Sequence, residues 1–415
     1  MFKKLFPALV LILALSQNSF AQLQIGGYGE IALSRNFFSD NINRYSHAED
    51  YKNAKSHGRF DIPHVAFAIG YTFNSKWKMY SEIEFEHGGT ESATELEAEE
   101  AGEYENEIER GGEVALEQFW IERSFSSAFN LRMGHLIVPI GYTNNNHLPN
   151  EFFTVYRPEG ENTILPCTWH ETGVSLWGRI GKWRYEAQLL PGLDSELFGR
   201  QNWIQGGSAS PYEFKVANKY AGVLRIDNYS LDGLRMGLSG YFGYSFNNSI
   251  QSSTAEKYKG VKGAVSIASF DFAYKKHAVI ARGYFDYGHL GNSEEISRYN
   301  KSLTKNSPSP RTNVASDAIC TGIEAGYDIF SPIKNPAKDK LYIFGRYEYY
   351  DSMYKTAPNI TGNEWCGRQR IVGGINYFPT PEIVVKAEYS AGMLKSQYNN
   401  ENSISVGIAY AGFFN

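Results

Sequence analysis

The chain has 415 residues, 42% of them apolar and 20% charged, with 29 Tyr, 26 Phe, 40 Gly and three Cys. A mean hydropathy of -0.40 excludes a bundle of transmembrane helices, which needs repeated apolar runs of roughly 20 residues. A formal charge of -5 and a pI near 6.0 offer no net basic face for phosphodiesters, so nucleic acid is set aside as a partner.

The one long apolar run comes first. Lys3 and Lys4 precede Leu5 to Leu15, and Ser19-Phe20-Ala21 follow before Gln22. A short basic segment, an apolar stretch too short to span, and small residues at the minus-three and minus-one positions predict a signal peptide over residues 1–21. The rest, 22–415, reads as one domain. Cys167, Cys320 and Cys366 are odd in number and widely spaced, so free thiols or a single bridge are expected. If one pair bridges, Cys320 and Cys366 are favoured, because both fall at the same end of the strands predicted below.

Beyond Gln22 no 3.6-residue periodicity is sustained, but segments of about ten residues alternate apolar and polar positions, the signature of half-buried strands. Val65, Phe67, Ile69 and Tyr71 show it first, then Met79, Ile83 and Phe85 against Lys78, Glu82, Glu84 and Glu86, and late in the chain Ile383, Val385, Ala387 and Tyr389. Sixteen strands are predicted, starting near Gln24, Phe60, Lys76, Gly112, Phe129, Glu171, Lys182, Lys219, Gly233, Lys262, His277, Asp317, Lys340, Gly367, Pro381 and Asn402.

The connections between them alternate in length. Ser34 to His57 is long, Asn74-Ser75 tight, Gly88 to Gly111 long, Ser126-Ser127 tight and Pro139 to His170 long, and the alternation continues to the end. Every long loop therefore falls on one side. A soluble sandwich has no reason to sort its loops in this way, whereas an outer-membrane barrel has short periplasmic turns and long extracellular loops. The expected fold is all-β: a 16-stranded antiparallel transmembrane β-barrel in the bacterial outer membrane, contacting its lipids. Phe73, Trp77, Trp177, Trp183, Tyr347, Tyr349 and Tyr350 are expected in interfacial girdles. The last segment keeps Ile404, Val406, Ile408, Tyr410, Gly412 and Phe414 on one face, with Asn415 terminal.

Three stretches carry a family resemblance: Ile25-Gly26-Gly27-Tyr28-Gly29-Glu30; Leu131-Arg132-Met133-Gly134-His135-Leu136; and Glu151 to Pro158 leading to Trp169-His170-Glu171-Thr172-Gly173. They resemble the phosphate-selective porins of the porin O and P family, in their gut-anaerobe relatives. The resemblance implies a 16-stranded, trimeric, passive channel, and so a homotrimer passing small solutes or ions.

Three groups of residues are candidates for function. The loop from Pro139 to His170, rich in aromatics and proline, is expected to fold back as a constriction rather than close as an outer lid on its neighbours, with Glu151, Arg157, Glu159, Glu161 and His170 as its charged groups. Arg132, Arg179, Arg184, Arg225 and Arg235 lie within a few residues of tight turns and would form a basic collar near the periplasmic mouth, concentrating anions unless neighbouring acids neutralise it. Glu95, Glu97, Glu99, Glu100 and Glu103 belong to an acidic run in the second long loop, either a solvated, self-repelling segment or a Ca²⁺ site.

No GxSxG, HExxH or paired-Cys motif occurs, so an enzyme is not expected. The expected function is passive diffusion of small hydrophilic solutes with a mild, phosphate-like anion preference. The alternative is a surface-binding, adhesin-like barrel whose lumen is blocked.

Overall fold

The computed structural model describes residues 22–41, 44, 48–53, 56–87, 93–94, 108–109, 114–209, 214–250, 252–306, 311–333, 339–395 and 398–414. The expected signal peptide lies outside these residues. Sixteen strands form the wall: β1 Gln22–Asn36; β2, in two pieces, His57–Asp61 and His64–Thr72; β3 Trp77–Glu86; β4 Val114–Ser126; β5 Phe129–Ile137; β6 His170–Ile180; β7 Trp183–Pro191; β8 Tyr220–Asn228. The second half is β9 Leu234–Tyr244, β10 Ala264–Lys276, β11 Val279–Leu290, β12 Asp317–Asp328, β13 Lys340–Lys355, β14 Gly367–Thr380, β15 Ile383–Met393 and β16 Glu401–Phe414. Each pairs antiparallel with its chain neighbours. β1 also pairs with β16, from Ile25 opposite Phe414 to Asn36 opposite Ser403, so the sheet closes on itself.

Strand starts match the sequence expectation to within two residues except at β2, which begins at His57. Its break falls at Ile62-Pro63, because proline has no N–H to give the ladder. The tight turns use local chemistry: the Asn74 side chain accepts from the backbone N–H groups of Lys76 and Trp77, and Gly181 turns with φ +59°. Two glycines of the resemblance stretches are also explained. A Cβ on Gly27 or Gly134 would stand 1.9 or 2.1 Å from a carbonyl oxygen of the neighbouring strand, and both residues have positive φ.

The faces are sorted as a membrane requires. On β12, Ile323, Ala325 and Tyr327 point outward and are exposed, while Glu324, Gly326 and Asp328 point inward and are buried. On β13, Ile343 and Tyr347 alternate with Phe344, Arg346 and Glu348 in the same sense. No helix of the described residues is long and apolar enough to cross a membrane, and the barrel crosses with strands. This outward apolar belt on a closed antiparallel barrel makes the chain an outer-membrane protein.

Phe73, Trp77, Trp183 and Tyr347 lie on the outer surface as expected of a girdle. Trp177 and Tyr350 do not. They share the inward face of their strands, where Trp177 Nε1 donates to Glu122 (2.8 Å) and the Tyr350 hydroxyl donates to Glu159 (2.5 Å).

Of the two expectations for the cysteines the structure shows free thiols, all three being free, and the Cys320–Cys366 pair favoured for a bridge does not form. Cys320 lies on β12 opposite Tyr350 of β13, whereas Cys366 precedes β14, so β13 stands between them. Two strand spacings come to roughly 9–10 Å, beyond the reach of a disulfide. Instead Cys320 Sγ donates to Asp286 (3.2 Å) and Cys366 Sγ to the Arg200 carbonyl (3.5 Å).

Among the long loops, Leu193, Phe198, Trp203 and Ile204 pack with Phe246, Val314, Trp365 and with Ile296 and Tyr299 of a helix, Ser293–Leu303, in one apolar cluster. Charge on the lipid face is costly, so Ile323→Arg at the middle of β12 should cost about 2–4 kcal/mol. Denaturant unfolding in lipid vesicles measures it, with Ile323→Val as the near-neutral control.

Candidate functional site

The loop 138–169 joins β5 to β6 and is buried inside the barrel. Asn144 ties its two ends together: its side-chain nitrogen donates to the Val138 carbonyl, and its oxygen accepts from the Trp169 N–H (2.5 Å). Glu161 braces the first bend, its carboxylate accepting from the backbone N–H groups of Tyr142 (2.5 Å) and Thr143 (2.6 Å). Gly141, at φ +78°, leaves room for that carboxylate, since a Cβ there would lie 2.5 Å from Glu161 Oε1. Pro158 ends the extended part and a short helix, α1 (Glu159–Ile164), follows.

From β5 and β6 the loop reaches β13–β15, about halfway round a 16-stranded barrel. Its backbone polar groups find partners there. Lys386 donates to the carbonyls of Phe152 (3.1 Å) and Thr154 (2.8 Å), and Asn376 to that of Phe153 (3.0 Å). Glu388 accepts from the Val155 N–H (2.8 Å). Phe153 stacks on Phe344 with ring centroids 5.2 Å apart, and the Arg282 guanidinium lies over the Phe153 ring, 4.9 Å from its centroid. Buried backbone must be paired wherever it runs, so these side chains define the path of the loop.

The five predicted loop residues are divided among different partners. Glu159 meets Arg370 (2.7 Å) and Tyr350; burial alone would raise its carboxyl, but these partners hold it below the usual range. Glu161, two residues on, is raised by burial against its own loop. Arg157 points the other way, 3.6 Å from Glu84 and 3.5 Å from the Tyr28 hydroxyl. His170 Nε2 lies 2.8 Å from Glu117. Glu151 is half-buried, and burial raises its carboxyl; among the described residues that carboxylate has no ion pair.

The basic collar is largely neutralised. Arg132 pairs with Glu122 (2.7 Å), and Arg184 with Glu186 (2.5 Å) and Asp227 (3.3 Å). Arg225 joins Asp227 (2.7 Å) and Asp271 (2.9 Å), and Arg235 joins the same two acids (3.1 and 2.5 Å). Arg179 alone is exposed, its guanidinium 4.8 Å from the Tyr229 ring. The acidic residues Glu95, Glu97, Glu99, Glu100 and Glu103 lie outside the described residues.

Sequence reasoning missed Asp271 and Glu122 as neutralising partners, although alternation along Phe270-Asp271-Phe272 marks Asp271 as inward. It also missed Glu117. A β-bulge between Leu116 and Gln118 leaves Glu117 without a cross-strand partner and turns both Glu117 and Gln118 inward, a local irregularity with no sequence signal.

No family model matches the chain. An uncharacterized protein of Aquifex aeolicus (strain VF5) is 26% identical over 390 residues, spanning 91% of this chain and 78% of that protein. Among solved structures, the outer membrane channel DcaP of Acinetobacter baumannii aligns with TM-score 0.54 at 9% identity, covering 95% of this chain and 97% of that one. Salmonella typhi OmpF, in complex with daunomycin, aligns with TM-score 0.54 at 10% identity, covering 96% and 99%. Vibrio cholerae OmpT in its trimer form aligns with TM-score 0.50 at 12% identity, covering 95% and 99%. At these identities the likeness is one of fold. The chain has the porin fold.

Lys386→Met should remove two charged hydrogen bonds, together costing more than the about 1.5–3 kcal/mol of one such bond. It should also loosen the loop. Greater protease cleavage between 138 and 169 in the folded barrel, and noisier single-channel current, are the expected readouts.

Proposed function

We propose that the protein is a passive diffusion channel for small hydrophilic solutes and works as a homotrimer. The observation that carries this reading is the loop 138–169, which crosses the lumen and is held on the far wall by Lys386, Asn376 and Glu388. A loop anchored in this way narrows a pore without sealing it by secondary structure, and its charged groups decide which hydrated solutes pass. The lumen carries both signs, with Arg225, Arg235 and Arg184 sharing Glu186, Asp227 and Asp271. Such a lining suits polar solutes in general. An anion preference would rest on Arg179 and on the balance of those pairs, and a phosphate-type substrate on the resemblance alone. Trimer assembly is supported by the likeness to OmpT in its trimer form.

A second reading has its own observation. The apolar cluster under the long loops, including Trp203, Phe246, Ile296 and Trp365, covers part of the outer mouth and favours a closed, surface-binding barrel. Conductance separates the two. Purified protein in a planar bilayer should give discrete open steps, and insertion without conductance would support the closed barrel.

Selectivity provides a second check. Arg184→Ala leaves Glu186 and Asp227 undercompensated and should move the reversal potential under a salt gradient toward cations. Glu151→Gln should move it toward anions. Unchanged potentials in both variants would remove these residues from the permeation path.

A further inference from the structure

We propose that His64, Glu84 and Glu86 bind a divalent transition-metal ion of the zinc class on the lumenal wall of β2 and β3. The strands bring them together. His64 stands directly opposite Glu86 in the β2–β3 register, and Glu84 lies two residues before Glu86 on the same face. One candidate ligand atom from each side chain lies within 4.8 Å of the others. Side chains around one zinc-like ion, with bonds of about 2.0–2.2 Å, place their donor atoms roughly 3–4 Å apart, so small rotations suffice.

Among the described residues two oxygens at this place lack a hydrogen-bond partner: Oε2 of Glu84, a side chain with 0% exposure, and Oε2 of Glu30 beside it. The carboxylate of Glu86 makes no hydrogen bond or ion pair among the described residues. Glu84 Oε1 is shared between the Tyr28 hydroxyl (2.8 Å), His64 Nδ1 (2.8 Å) and the more distant Arg157 (3.6 Å). Glu30, Glu84 and Glu86, with the Glu117 carboxyl beside Glu84, thus face the Arg157 guanidinium, the His64 imidazole and, on the Glu30 side, the Lys386 ammonium. Negative charge left without compensation in a buried place is costly, and a dication supplies what Arg157 does not.

The donor set selects the class of ion. One imidazole with two carboxylates suits zinc and its neighbours, whereas Ca²⁺ takes about 6–8 oxygens. His64 is oriented for the role: Nδ1 faces Glu84 while Nε2 lies 3.8 Å from Glu30, and a carboxylate behind a ligating imidazole fixes its tautomer. Access exists from the lumen, since His64 is 15% exposed and Glu86 is only half-buried. None of this depends on whether the barrel conducts.

The test uses the full-length folded barrel in detergent, with no affinity-tag histidines and with metal stripped by a chelator. Titration with Co²⁺ should give a visible ligand-field absorption that saturates at one ion per chain and is abolished by Zn²⁺. His64→Ala and Glu86→Gln should each weaken Co²⁺ binding by roughly tenfold or more, since loss of a group that merely supports a ligand already costs that much. Heat-dependent migration on gels confirms that each variant is folded. Should His64→Ala fail that check, Glu86→Gln, at a half-buried position, decides the matter. Absence of the absorption in the wild type, or its survival unchanged in a folded variant, overturns the proposal.

Discussion

Hydrocarbon offers no hydrogen bonds, so a strand that crosses it must pair on both edges. Everything else in this molecule depends on that requirement. The seam between β1 and β16, twelve residue pairs from Ile25–Phe414 to Asn36–Ser403, removes the only two edges the sheet would otherwise have. Closure then forces each strand to present one face to lipid and one to the lumen, and it forces connections to alternate between the two rims. The apolar outer face and the long loops on a single rim are two results of the same constraint.

The inner face accordingly carries the buried charges, beside the apolar cluster under the long loops. Arg346 lies between Glu324 (3.0 Å) and Glu348 (3.0 Å), and Arg282 joins Glu324 (2.6 Å), so this stretch of the inner wall is stitched by ion pairs. A loop that enters such a lumen must satisfy its own backbone from that wall. Lys386, Asn376 and Glu388 do this for residues 138–169, Asn144 ties the loop's two ends from within, and the Phe153–Phe344 stack adds an apolar contact. Glu151, half-buried on the loop, is left without an ion pair among the described residues.

The barrel was readable from the chain because its signals are local. Period-2 alternation places Ile323 outside and Glu324 inside whatever the neighbours are, and Asn74 or Gly181 marks a turn within a few residues. The loop 138–169 was readable in the same way, by length and by its charged and aromatic content. What it touches was not. Arg157 and Glu159 are two residues apart, yet one turns to Glu84 on β3 and the other to Arg370 on β14. No spacing in the sequence encodes that division, since it depends on where the far walls stand once the barrel has closed.

The sequence by itself determined the strand count, the sorting of faces and the side on which the loops gather, because each follows from residue type and local spacing. Only the tertiary structure decided which charges cancel. Arg225 reaches Asp271 across 46 positions of sequence, Glu117 was turned inward by a bulge, and β13 came between Cys320 and Cys366. The physical reason is that ion pairing and disulfide reach are set by distances of a few ångströms between strands, and those distances exist only after register and closure are established.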